Sequence, residues 1–279
     1  MANKIFSYYK PHDTSATNED SELVVEAGNT HFACLAIGTV SRNILAFEWF
    51  KHHRSDLASF EELIVSIQSA SRLLDNKQVS ARAFINNGSA ILIPPDLYTE
   101  AAAKDYLDLV TGESVLSETL HDTINEGDGY VNAFRVPTPV IEVLRKHFGT
   151  WQVEHTFSQT LRHMLRDGVP PESMLVQFYD SEINVTVFRQ GRLQLMQNFT
   201  YTLADDVLYY LLSLAQRFHL DFNQLQVRVC GMIDTHSALY AQLLRFFKQV
   251  STYNNSVQLP GYSGDHPSHY FTPIFNLVS

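Results

Sequence analysis

The chain has 279 residues, 45% hydrophobic and 12% aromatic, which supports a large packed core and is far too apolar for a disordered chain. Its formal charge of -10, from 20 Lys and Arg against 30 Asp and Glu, repels phosphate backbones and argues against nucleic acid as a partner. No run approaches the roughly 18 uncharged apolar residues of a membrane-spanning helix, and MANKIFSYYKPHD lacks the basic-then-apolar pattern of a signal peptide, so a cytoplasmic protein is expected.

Residues 1–21 are polar and weakly patterned, and read as a flexible arm. Leu23 to Ala27 and Phe32 to Ile37 are apolar runs of strand type. Between them Gly28-Asn29-Thr30 predicts a tight turn, because Gly and Asn tolerate positive φ. Cys34 lies in the second run and Cys230 in a later one, which predicts buried reduced thiols. Ile44 to Phe50 supplies a third strand, and the basic Lys51-His52-His53-Arg54 after it reads as a solvated turn. Ser59-Phe60-Glu61-Glu62 has the form of a capping box. Phe60, Leu63, Ile64, Ile67, Ala70 and Leu74 follow at spacings of three and four, the mark of an amphipathic helix on a sheet. VSARAFINN is the next strand.

Ala90 to Ile93 is a strand stopped by Pro94-Pro95. Tyr98 to Val110 is Ala-rich and helical, and Asn125 to Gly129 is a glycine loop. Tyr130 to Val136 is a strand, and Thr138-Pro139 opens a helix that ends at Gly149. Trp151 to His155 leads into a helix over Phe157 to Asp167, after which Gly168-Val169-Pro170-Pro171 is the clearest linker. Then the opening pattern returns. Met174 to Phe178 and Ile183 to Phe188 are strands, and Arg189 to Arg192 turns into a third, Leu193 to Phe199. Thr202, with Asp205, is the expected cap of a helix carrying Val207, Leu208, Leu211, Leu214, Ala215 and Phe218, and Val227 to Cys230 is a buried strand. Thr235 to Val250 reads as one helix, and the tail from Pro260 as an irregular aromatic cover.

A unit of three strands, a helix and a strand thus occurs twice, about 150 residues apart. The reading is an α/β protein of two similar halves around a cleft: residues 22–170 with an inserted subdomain around 88–129, and residues 171–279 with the tail. This order resembles the actin-like ATPase fold, a ribonuclease H-like duplication shared by actin, sugar kinases and Hsp70. INVTVFRQGRLQLMQNF and the helix after it are similar to the second half of the type IV pilus PilM family and the cytoplasmic part of GspL. An uncharacterised bacterial family of this fold is the suspected home of the chain.

The resemblance implies two hairpin turns that grip phosphates through glycine-exposed amides, with an acid at each strand end for magnesium. Here the first turn is Glu26-Ala27-Gly28-Asn29-Thr30, with one glycine and Glu in place of Asp. The second, Gln177-Phe178-Tyr179-Asp180-Ser181-Glu182, has no glycine, a bulky Tyr179 in the approach and two carboxylates toward any phosphate. The adenosine turn keeps one glycine, as Gly231-Met232. Gly28, Asn29, Thr30, Asp180 and Gly231 are therefore the candidate residues of a degenerate nucleotide cleft, and equally ordinary turn residues of an inherited scaffold. The expectation is a non-catalytic adaptor without cofactor. As in PilM-like proteins, its partner would be another protein, a peptide segment of a membrane-associated one. The alternative is a divergent Mg-ATP-dependent ATPase or small-molecule kinase using Glu26 and Asp180. Trp49, Phe50 and the aromatics from Tyr262 to Phe275 are candidates for a binding surface or for core. His266-Pro267-Ser268-His269 reads as a solvated loop, and no Walker loop or nucleophile elbow occurs.

Overall fold

The computed structural model describes residues 2–10, 21–52, 59–74, 81–149, 152–254, 257, 259–262 and 264–278. The chain divides into two compact units, 1–159 with 257–265 and 277–279, and 160–256 with 266–276. The division falls before the Gly168 to Pro171 linker that the sequence suggests, inside the helix that precedes it.

The first unit begins with β1 (Asn3–Tyr9), β2 (Ser21–Gly28), β3 (His31–Gly38) and β4 (Ile44–Lys51), followed by α1 (Phe60–Ala70) and β5 (Ala81–Asn86). It continues with β6 (Ala90–Ile93), α2 (Glu100–Thr111), β7 (Ser117–Ile124), β8 (Tyr130–Pro137), α3 (Thr138–Phe148), β9 (Val153–His155) and the start of α4 (Thr156–Asp167). Its main sheet has the order β1-β4-β3-β2-β5-β9. The β2–β5 and β5–β9 pairs are parallel and the rest antiparallel. Val24, Val25, Phe32, Ala33, Cys34 and Leu35 have no exposed surface, so β2 and β3 read as unbroken apolar runs for the reason central strands do. Ser59 caps α1 by accepting from the Glu62 amide at 3.2 Å, and Leu63, Ile64 and Ile67 are its buried stripe.

The inserted residues make a second, antiparallel sheet, β6-β8-β7, with α2 packed on β6 and β8 through Ala103 and Leu107. Asp122 of β7 accepts from the His155 amide at 2.8 Å and the Ser158 hydroxyl at 2.5 Å, and Asn132 of β8 donates to Ser158 at 2.9 Å. These bonds tie the insertion to the start of α4.

The second unit holds β10 (Glu172–Phe178), β11 (Glu182–Arg189), β12 (Arg192–Thr200), α5 (Ala204–Arg217), β13 (Gln226–Gly231), α6 (Ala238–Phe246), β14 (Gln249–Thr252) and α7 (Thr272–Phe275). Its sheet order, β12-β11-β10-β13-β14, matches β4-β3-β2-β5-β9, with the same parallel and antiparallel senses. The predicted duplication is therefore one of topology. Gln190 and Gly191, with φ of 53° and 72°, make the two-residue hairpin between β11 and β12.

Several expectations change. Residues 3–9, placed in a flexible arm, form β1 on the β4 edge; residues 11–20 lie outside the described ones. Lys51 belongs to β4 and His52 is buried, so this end of the basic run is no solvated turn; His53 and Arg54 lie outside the described residues. The α5 cap is Leu203, and Asp206, not Asp205, accepts from the Thr202 and Leu203 amides at 2.9 Å. The helix expected over 235–250 stops at Phe246, because Gln249 to Thr252 pairs in parallel with β13. Trp49, Phe50, Phe271 and Phe275 are core residues, and His269 is buried against the Ile233 carbonyl at 2.9 Å rather than solvated. Cys34 and Cys230 are fully buried free thiols, and burial pushes both well up.

The edge strand β1, paired along β4, is further tied down by one buried carboxylate. Glu48 of β4 accepts from the Lys4 ammonium at 2.5 Å, the Arg72 amide at 3.2 Å, and the Tyr9 and Ser71 hydroxyls. Burial pushes this carboxyl up, but those donors outweigh it and hold the group below its usual range. Glu48→Leu should cost about 3 kcal/mol in urea unfolding, since it strands half-buried donors on β1 and the buried Ser71 hydroxyl after α1. An unchanged midpoint would mean that the cluster holds nothing.

His155, also fully buried, has its imidazole pushed down to about 3 by burial. Its folded pKa lies below the unfolded value of about 6.5, so the unfolded chain takes up the proton first and stability falls as pH drops below that value. Between about pH 7 and pH 5 this group should remove about 2 kcal/mol of unfolding free energy, a slope that His155→Phe flattens. Equal slopes in the two proteins would show that His155 is not the group titrating.

Candidate functional site

The end of β2 carries a polar cluster the chain itself completes. Glu26 is fully buried; its Oε1 lies 2.9 Å from His31 Nε2, and accepts from the Asn86 side-chain amide at 2.8 Å. His31 opens β3 and Asn86 closes β5, the two strands flanking β2, so the sheet order delivers both partners. Glu26 Oε2 accepts no hydrogen bond from the described residues.

Gly28 follows two residues later, and its φ is not positive; neither is that of Asn29 or Thr30. Turn geometry is therefore not what the glycine serves. A Cβ on Gly28 would stand 2.2 Å from Cε1 of the His31 ring, so the missing side chain is the space that the imidazole fills. Thr30 gives its carbonyl to the His52 amide at 2.8 Å, and the His52 ring reaches the His31 carbonyl at 3.3 Å.

Beside this cluster lies a cavity of about 340 Å³. Gly28, Asn29, Asn86 and Asn87 line it from the strand ends, His52 from beyond β4, Ser59 and Phe60 from the start of α1, and Pro137 and Val140 from the start of α3. The positions at the carboxyl ends of parallel strands and at two helix starts suit a small polar group, since helix amino ends carry partial positive charge. Its size is at the low end for ligand pockets. Among the described residues no cluster of three or more metal-ligating side chains occurs.

The second turn is closed differently. Tyr179 is buried, and its amide, which a phosphate would need, donates to the Glu182 carbonyl at 2.9 Å. The Tyr201 hydroxyl reaches the carbonyls of Tyr179 and Asp180 at 3.0 and 3.1 Å. Burial first, and the Asp180 charge second, push this phenol up to about 12, so it stays a donor. Glu182 turns into the sheet, where Asn198 donates to it at 3.3 Å, instead of facing outward beside Asp180.

Gly231 ends β13 with φ of 86°, and a Cβ there would stand 2.1 Å from the Phe178 carbonyl, which the Met232 amide also approaches, at 2.8 Å. The β10–β13 contact demands this glycine whether or not a ligand is present. Of the sequence candidates, then, Gly28, Asn29 and Thr30 cluster in the first unit, with Gly28 and Asn29 on its cavity; Asp180 and Gly231 sit at strand ends of the second. The sequence pattern marks none of His31, Asn86 and Tyr201, and places His52 only in a basic run. An Asn pair at a strand end was the one visible signal, while the reach of the rings is a tertiary matter.

If His31 is what forbids a side chain at position 28, the two positions are coupled. Gly28→Ala should cost about 2 kcal/mol alone and much less in a His31→Ala background, a coupling of about 1 kcal/mol or more in a double-mutant cycle of urea unfolding. Additive costs would disprove the packing account.

The fold matches the crystal structure of a Bacteroides thetaiotaomicron VPI-5482 protein with actin-like ATPase fold and unknown function, at a TM-score of 0.75 and 15% identity over 92% of this chain and 95% of that one. It is also similar to PilM in the PilM-PilN type IV pilus biogenesis complex, at a TM-score of 0.60 and 11% identity over 92% and 96%. The ethanolamine utilization protein EutJ from Carboxydothermus hydrogenoformans follows at 0.50 and 8%, over 94% and 90%. The architecture is thus the actin-like ATPase fold. No curated protein matches the chain in sequence. A family model described as "Protein of unknown function (DUF3822)" matches residues 11–250, and the chain belongs to that family.

Proposed function

We propose that the protein is a non-catalytic actin-like adaptor that binds a segment of another protein. One observation carries this reading: both turns that would hold phosphates are closed by the chain's own side chains. His31 fills the space over Gly28, and Tyr201 locks the carbonyls of Tyr179 and Asp180. Opening the first turn would unseat a ring bonded to a buried carboxylate, and opening the second would break both hydrogen bonds of a half-buried phenol. The similarity to PilM, solved in a complex with PilN, supports a protein partner, and we take that partner to be a peptide segment of a membrane-associated protein. No described helix is long and apolar enough to cross a membrane, in keeping with a cytoplasmic adaptor.

A second reading, a divergent Mg-ATP-binding ATPase or kinase, is favoured by the cavity lined by Gly28 and Asn29 and by a Glu26 oxygen, on the strand leading to that lining, that accepts no hydrogen bond from the described residues. Thermal unfolding with Mg-ATP or Mg-ADP separates the two. A specific ligand at a hundredfold excess over its dissociation constant adds about 2.7 kcal/mol to stability. The adaptor reading expects a flat midpoint up to millimolar nucleotide. A dose-dependent rise, absent in a Glu26→Gln variant, would replace it with the second.

A further inference from the structure

The inserted subdomain differs from the rest of the chain in both charge and exposure. Residues 88–129 contain nine Asp and Glu and a single Lys, so they hold eight of the chain's ten net negative charges. The same segment exposes large apolar side chains. On α2, Ala103 and Leu107 face the β6-β8-β7 sheet, while Tyr106 and Leu109 lie on the flank beside that face and Val110 lies at the rim between the two. Leu109 is 84% exposed and Val110 54%. Gly112, with φ of 81°, ends the helix, and Val115 and Leu116 follow at 94% and 75% exposure. Asp105 and Glu113, both exposed, stand within this stretch. Arg135 and Lys104 engage Asp108 on the other side of α2 and leave that apolar flank uncovered.

We propose that this flank of α2 is a docking surface for a basic amphipathic helix of a partner protein, a reading that rests on the adaptor function above and names its partner's chemistry. Single exposed apolar side chains are ordinary, but five within eleven residues of sequence are a concentration that marks an interaction surface. Charge selects the occupant. A second copy would bring the same eight negative charges to the interface, and an anionic lipid surface would be repelled likewise. A helix with leucines on one face and lysines or arginines beside them covers the apolar flank and neutralises its acidic surroundings. The acids speed and select the encounter, while the buried apolar anchors hold the complex.

The test uses the full chain and a fluorescein-labelled amphipathic peptide of leucine and lysine at helical spacing, read by anisotropy, with the same peptide carrying glutamate for lysine as control. The lysine peptide is expected to bind and to weaken as salt is added. Binding should fall about tenfold or more in Leu109→Ser/Val110→Ser and, separately, in Asp105→Lys/Glu113→Lys, both exposed pairs that leave the unfolding midpoint in place. Unchanged binding in either double variant overturns the proposal, as does equal binding of the glutamate peptide. Sedimentation that shows a dimer dispersed by Leu109→Ser/Val110→Ser, or capture on phosphatidylserine vesicles through that face, assigns the surface to another occupant and overturns it too. A nucleotide-induced thermal shift with peptide selectivity intact would sink the non-catalytic reading alone. A failed peptide with a flat nucleotide response would sink this surface alone.

Discussion

A carboxylate cut off from water must find its donors inside the chain, and that necessity organises the first unit. Glu26 sits on a strand buried on both faces, so its partners must come from the strands on either side. His31 supplies one and Asn86 the other. The ring that bonds Glu26 then needs volume, and Gly28 yields it. One buried carboxyl group thus accounts for the glycine of the turn and for the positions of two polar side chains at one end of the sheet, of which Asn86 also lines the cavity. At this turn one oxygen of Glu26 is satisfied twice from within the chain.

The two units solve the same problem with different chemistry. Each presents a hairpin at the end of its first central strand, in sheets of identical order. The first unit closes its hairpin with an imidazole over a glycine. The second uses a phenol brought from just beyond β12 onto two carbonyls. The sheets also end differently, for β4 is covered by β1 and tied to it through Glu48, while β12 has no added strand among the described residues. The duplication thus keeps its topology while its turns and edges diverge.

Much of this architecture is legible in the residues. Alternating or continuous apolar runs locate the central strands, and Ser59 marks the start of α1 before any fold is known. Elements specified mainly by their neighbours are not. β7 reads SETLHDTI, and its inward residues include Asp122, which is buried only because His155 and Ser158 meet it. β14 continues an apolar helical pattern and becomes a strand because β13 offers an edge. The α5 cap shifts by a residue because Asp206 reaches back to two amides, an arrangement that serves as well as a hydroxyl at the first position. The candidate site is the extreme case. Gly28 and Gly231 stand out as glycines, but the reasons for them, a ring from the next strand and a carbonyl from a neighbouring one, lie in the packing.

The two cysteines give the molecule a chemical property unrelated to its ligands. Both thiols have no exposed surface, and burial keeps them in the protonated, unreactive form, far from the thiolate that alkylating reagents attack. The native protein should therefore react little with maleimides. A cysteine introduced at any exposed position becomes its only reactive thiol, so a fluorophore or spin label can be placed on either unit without first removing Cys34 from β3 or Cys230 from β13.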